Sequence, residues 1–162
     1  MKLLSAVALS VLSLQAMPAV AAGSPAASSP LLGRWALDIA TLPMPPEQRP
    51  RQVTMEFRQG DGNAWHSHVD IVLHDGKALN SDASLTLDGK PVTLEGSYFA
   101  DVATATLPAP NTLVMQLVDH GTPASTRIYS VGADPETMIE TKAFFSHDGQ
   151  PILQTNHFKR LP

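Results

Sequence analysis

The residues best able to do chemistry in this 162-residue chain cluster in one hexapeptide, WHSHVD, from Trp65 to Asp70. Imidazole nitrogens and a carboxylate on alternate positions are donor types that zinc and similar divalent ions accept. In an extended strand, residues two apart share a face. His66, His68, Asp70, Val72 and His74 therefore lie on one side, and Trp65, Ser67, Val69, Ile71 and Leu73 on the other. The second set is the apolar one, so it faces a core and the histidines face away from it.

The next strand completes the cluster. With Asp75-Gly76-Lys77 as a three-residue loop, Leu73 pairs with Leu79, Ile71 with Ser81, Val69 with Ala83, Ser67 with Leu85 and Trp65 with Leu87. That register matches the apolar faces. It also sets His68 opposite Ser84 and Asp70 opposite Asp82. Like charges directly opposite on a sheet are unfavourable, so one expectation is a divalent metal such as zinc held by His66, His68, Asp70 and Asp82. The other is a plain solvent face, where imidazole and carboxylate satisfy each other for about 0–1 kcal/mol and no cofactor is bound. A catalytic metal also needs a concave, water-limited place, which an outer sheet face does not offer.

Other chemistries find little support. There is no Gly-x-Ser-x-Gly elbow and no cysteine, which removes the usual nucleophiles, thiolate metal sites and disulfides. The glycines sit in turns, and none opens a helix to cradle a phosphate. Glu56, Glu95 and Glu140 carry no spacing that marks a carboxylate pair for glycoside work. The formal charge is −4, opposite to what nucleic acid demands. The expectation is a protein that is not an enzyme.

The elements that must position these residues begin after a leader. Met1-Lys2, an apolar run from Leu3 to Met17 and the small residues of Pro18-Ala19-Val20-Ala21 make a secretory signal over residues 1–21, with cleavage after Ala21. The run is too short and too often interrupted by Ser5, Ser10, Ser13 and Gln15 to span a membrane. An exported protein, periplasmic or secreted, is expected, with no membrane insertion once the leader is gone. Residues 22–30 are small and polar and read as a flexible lead-in. Residues 31–162 suit a single domain.

Within that domain the apolar residues alternate: Trp35, Leu37 and Ile39; Val53, Met55 and Phe57; Leu113, Met115 and Leu117. Strands are expected at 33–39, 52–58, 64–74, 78–88, 91–95, 102–107, 112–118, 124–131, 137–146 and 152–160. Turn signals such as GDGN at Gly60, HDGK at His74, DHGT at Asp119 and HDGQ at His147 join them antiparallel, one after the next. The fold class is all-β, an antiparallel meander. Closing it into an up-and-down barrel of about 8–10 strands hides the edges that a monomer would otherwise have to protect. The Pro-rich stretch Leu42 to Arg51, LPMPPEQRPR, cannot be a central strand. It is either a lid over one mouth or an ordinary surface loop.

Gly33-Arg34-Trp35 followed by Ala36-Leu37-Asp38, with Arg160 at the end of the last strand, resembles the lipocalin-like, calycin-type pattern. There a Gly-x-Trp opens the first strand and a basic residue packs on the tryptophan. The mature chain is also similar to small exported bacterial proteins that carry GxWxLD, a Pro-rich loop, Asp-Gly hairpins, a late TRxY segment (here Thr126, Arg127 and Tyr129) and a last aromatic-basic strand (Phe158, Lys159 and Arg160). The resemblance implies a barrel with Trp35 and Arg160 as a structural bolt, a contact that gains roughly 0.5–2 kcal/mol. The barrel is expected to hold a small apolar molecule, with Trp35, Leu37, Met55, Phe57, Val69 and Ile71, all on inward strand faces, as the expected lining. The same residues could fill a solid core, which would leave a structural or interaction module for an envelope protein.

Overall fold

The computed structural model describes residues 28–162; the expected signal sequence lies outside the described residues. Ten antiparallel strands follow in chain order: β1 (Gly33–Leu37), β2 (Gln52–Gln59), β3 (Ala64–Val72), β4 (Ala78–Thr86), β5 (Val92–Thr93), β6 (Val102–Ala109), β7 (Thr112–Asp119), β8 (Thr122–Val131), β9 (Thr137–Phe145) and β10 (Pro151–Leu161). Each overlaps a run placed by alternation. The widest shortfall is β5, hemmed between Pro91, which has no amide donor, and the left-handed Gly96.

The sheet order is β4-β3-β2-β1-β10-β9-β8-β7-β6-β5. First and last strands pair directly, with Trp35 opposite Arg160 and Leu37 opposite Phe158, so the meander curls into a nearly closed barrel. The one seam lies between β4 and the β5–β6 side. It is bridged by the isolated pair Asp88 and Thr106 and by Ser81 Oγ, which donates to Ser97 Oγ at 2.9 Å.

The barrel's two ends differ. At one end Trp35, Phe57, Trp65, Leu85, Leu113, Tyr129 and Met138 are almost wholly buried. Phe57 and Tyr129 meet edge to face with centroids 5.5 Å apart, a favoured aromatic geometry. This end is a solid plug. Arg160 bolts it: its guanidinium carbon sits 4.1 Å from the Trp35 ring centre, and its Nη1 and Nη2 donate to the carbonyls of Leu32 at 2.9 Å and Pro30 at 2.6 Å. Gly33 makes the close approach possible. Its φ is +122°, and a Cβ there would lie 2.7 Å from Arg160 Nη1.

The face assignment of β3 holds: Ser67 is buried and His66 and Asp70 are exposed. Its expected register with β4 is corrected. Trp65 pairs with Leu85, Ser67 with Ala83, Val69 with Ser81 and Ile71 with Leu79, so that His68, not Asp70, lies opposite Asp82, and Asp70 faces Asn80. The loop has three residues, but they are His74-Asp75-Gly76, closed by the Leu73 amide donating to the Lys77 carbonyl at 2.8 Å. The reason is the glycine. Such loops need their left-handed residue last, and Gly76 has φ +88°. A slip of two residues keeps every side chain on its face, which is why apolar matching alone did not reveal it.

The connection from β1 to β2 forms two single 3-10 turns, Ile39–Thr41 just before the Pro-rich segment and Pro46–Gln48 within it. Arg49 Nε donates to the Met44 carbonyl at 2.9 Å and holds the loop together. It crosses the end of the barrel opposite the plug.

Candidate functional site

Between the plug and the Pro-rich segment the interior opens into a cavity of about 350 Å³, near the lower end for small-molecule sites. Leu37, Met55, Val69 and Ile71 stand on its wall, as do Leu42, Met44 and Pro50 of the covering segment. Trp35 and Phe57, expected beside them, belong to the plug instead. Their strands run from the packed end to the hollow one, so one alternating face supplies both.

The opposite wall is polar. Arg127, Glu140, Lys142, Gln154 and Asn156 face the same cavity from β8, β9 and β10. Register brings them together: Tyr129 pairs with Glu140 and Arg127 with Lys142 across β8 and β9, and Glu140 with Asn156 and Lys142 with Gln154 across β9 and β10. Two cations are thus direct cross-strand partners inside a barrel, an arrangement that is repulsive unless an anion intervenes.

One anion is built in. Glu140 is 3% exposed. Its Oε1 accepts from the Tyr129 hydroxyl at 2.8 Å and lies 3.5 Å from Arg127 Nη1, while Oε2 accepts from Asn156 Nδ2 at 2.6 Å. Burial pushes the Tyr129 phenol up, and the Glu140 charge pushes it further; it stays protonated and donates. For Arg127, burial works against the charge, but Tyr129 and Glu140 outweigh it and the net shift is upward.

Lys142 is different. Burial lowers its pKa, Arg127 lowers it further, and Glu140 offsets part of this. Among the described residues it makes no ion pair; its Nζ lies 4.6 Å from the Phe144 ring centre. The interior therefore carries two cations against one carboxylate that is already shared three ways.

Of WHSHVD, Val69 faces this cavity, whereas His66, His68 and Asp70 lie on the outer wall and do not join the site. His68 Nδ1 donates to Asp82 Oδ1 at 2.7 Å and Nε2 to Asp70 Oδ2 at 2.9 Å. A neutral imidazole has one N–H, so this geometry is that of an imidazolium, and the Asp82 hydrogen bond leads in raising its pKa. The cation between the aspartates is His68 itself. Both ring nitrogens of His68 are thus engaged, and His66 Nδ1 lies 2.9 Å from Ser84 Oγ. Among the described residues no group of three or more imidazole and carboxylate side chains is disposed to hold a metal ion.

Sequence reasoning named Arg127 and Tyr129 only as part of a pattern and set Glu140 aside. The usable signal was parity: if Arg160 packs on Trp35, then Phe158, Asn156 and Gln154 share that inward face.

No family model matches the chain, and no curated protein matches it. Solved structures do. The zebrafish ileal bile acid-binding protein complexed with cholic acid has a TM-score of 0.51 at 14% identity, over 82% of this chain and 100% of that one. An Asn-to-Ala variant of the fluorescent protein UnaG has a TM-score of 0.52 at 15% identity, over 82% and 97%. The chain has the lipocalin-like, calycin-type barrel fold.

Proposed function

We propose that this is an exported, non-enzymatic binding protein whose barrel holds a small, largely apolar molecule bearing one negative charge. The carrying observation is the cross-strand pair Arg127 and Lys142 facing the cavity with one carboxylate, Glu140, which pairs with Arg127 and leaves Lys142 without an ion pair among the described residues. A ligand anion beside Lys142 would balance the interior, and Leu37, Met55, Val69 and Ile71 would cover the apolar body. The likeness in fold to a barrel solved with cholic acid supports a cavity of this kind.

Equilibrium titration with 1-anilinonaphthalene-8-sulfonate, an apolar anion that fluoresces when buried, tests this. Lys142→Met should weaken uptake about tenfold, the value of one charge-assisted contact. Val69→Trp should block uptake without unfolding the protein. Binding indifferent to both changes would refute the reading.

A second reading, docking to an envelope protein, rests on the β9–β10 hairpin, where Phe145 and Leu153 are 66% and 74% exposed. Native mass spectrometry of protein purified from its export compartment separates the two, since only the first predicts a bound organic mass.

A further inference from the structure

We propose that the seam beside β4 is a second opening of the barrel, through which its ligand exchanges, held shut by Ser81 with Ser97 and, near its end, by the Asp88–Thr106 bridge. The route rests on the ligand-binding reading above; the opening itself does not.

Three hollows lie in series across this wall. A groove of about 310 Å³ runs along the outside of the seam and is lined in part by Asp82, Thr93 and Glu95. Ser67 and Ala83 line that groove and also a small inner chamber of about 40 Å³. The chamber in turn shares Met55, Val69, Phe99 and Arg127 with the main cavity. The small side chains of Ser67, Ser81, Ala83 and Ser97 line the chamber on its seam side, and Leu94 and Phe99 line it too, with Phe99 5.4 Å from the Arg127 guanidinium carbon. The other strands have ladder partners on both sides, whereas β4 and the two-residue β5 are the sheet's edges: β4 has a ladder on its β3 side alone, supplemented across the seam by Ser81 to Ser97 and the Asp88–Thr106 bridge near its end. A strand bonded along one edge is the element of a barrel that opens at least cost.

His68 does not cross the seam; from outside it reinforces the β3–β4 ladder from which β4 would peel, as does His66 with Ser84. The His68 imidazolium reaches Asp82 on β4 while Nε2 is anchored to Asp70 on its own strand. The other charged groups around it are Glu56, its direct partner on β2, the Arg58 that pairs with Glu56 at 3.6 Å, and His66. Loss of one ring proton leaves a lone pair facing a carboxylate, so the tie to β4 weakens as pH rises.

The chain has no cysteine, so the seam can be locked by one engineered disulfide in the full mature protein, Ser81→Cys with Ser97→Cys. Stopped-flow binding of 1-anilinonaphthalene-8-sulfonate should show association and dissociation both slowed at least tenfold on oxidation, with the equilibrium constant unchanged and the rates restored by reduction. Rates indifferent to oxidation would overturn the route. Absence of any saturable uptake would instead refute the binding reading, and the route with it. Native-state amide exchange in the unlocked protein decides the opening without a ligand. The β4 amides bonded to β3 should exchange at least tenfold faster than those joining β2 to β1, and His68→Gln should speed them further; equal protection in both ladders would refute the opening.

Discussion

Glu140→Leu tests the interior charge balance most directly. The wild-type carboxylate, with 5% of its side chain exposed, serves Arg127, Tyr129 and Asn156 together. Leucine of similar volume leaves the Arg127 guanidinium, 18% exposed, opposite Lys142 with no anion, and strands the Tyr129 hydroxyl and the Asn156 amide. Removing one partner of a buried pair costs about 3–5 kcal/mol; because Arg127 borders a cavity that admits water, the lower end, about 3 kcal/mol, applies. With a urea slope of about 1.5 kcal/mol/M the midpoint falls by about 2 M. Arg127→Met with Glu140→Leu removes both charges, so the double variant should lose clearly less than the sum of the two singles. The milder Glu140→Gln, which leaves the cavity one charge more positive, should bind 1-anilinonaphthalene-8-sulfonate more tightly while being less stable. A midpoint shift under about 0.3 M for Glu140→Leu, or strict additivity in the cycle, would refute the account of Glu140 as the buried anion that compensates Arg127.

Further outcomes follow from other parts of the barrel. Gly33→Ala should cost at least about 2 kcal/mol in urea unfolding, from its positive φ and the clash with Arg160; a neutral change would remove the bolt's dependence on glycine. The His68 tie has a folded pKa raised above the ordinary value of 6.5, so its stabilisation is complete below about pH 6.5 and lost as pH rises through the higher folded value. Its partners Asp70 and Asp82 are 53% and 72% exposed, which keeps the effect well under about 1 kcal/mol. The melting temperature of His68→Gln should accordingly fall below wild type at pH 5.5 and meet it at pH 9. Binding of the anionic probe should decline with alkaline pH before a free lysine would titrate, because the Lys142 pKa is lowered; in Lys142→Met that decline should vanish.

The architecture was legible because solvent and core sort residues by parity, and parity survives without any knowledge of partners. Val53, Met55 and Phe57, or Leu113, Met115 and Leu117, announce their strands this way, and the turn glycines separate them. Register was less legible for the same reason. Pairings two residues apart put identical side chains inside, and only the position of Gly76 at the end of its loop distinguishes them. The site was least legible because it reverses the rule that made the fold readable. In β9, Ile139 is 41% exposed and Glu140 3%, so hydropathy alone points this strand the wrong way.

What settles the direction of β9 is a chain of pairings that begins far from the site. Arg160 lies opposite Trp35, and Trp35 is inside; two steps back, Phe158 is inside, and two more, Asn156. Asn156 lies opposite Glu140, Glu140 opposite Tyr129, and Lys142 and Arg127 follow by the same parity. The bolt that closes the barrel's solid end thereby fixes which residues can charge its hollow end. A binding site assembled this way is marked by polar residues that the sheet register forces inward against their hydropathy, held there by partners such as the carboxylate of Glu140.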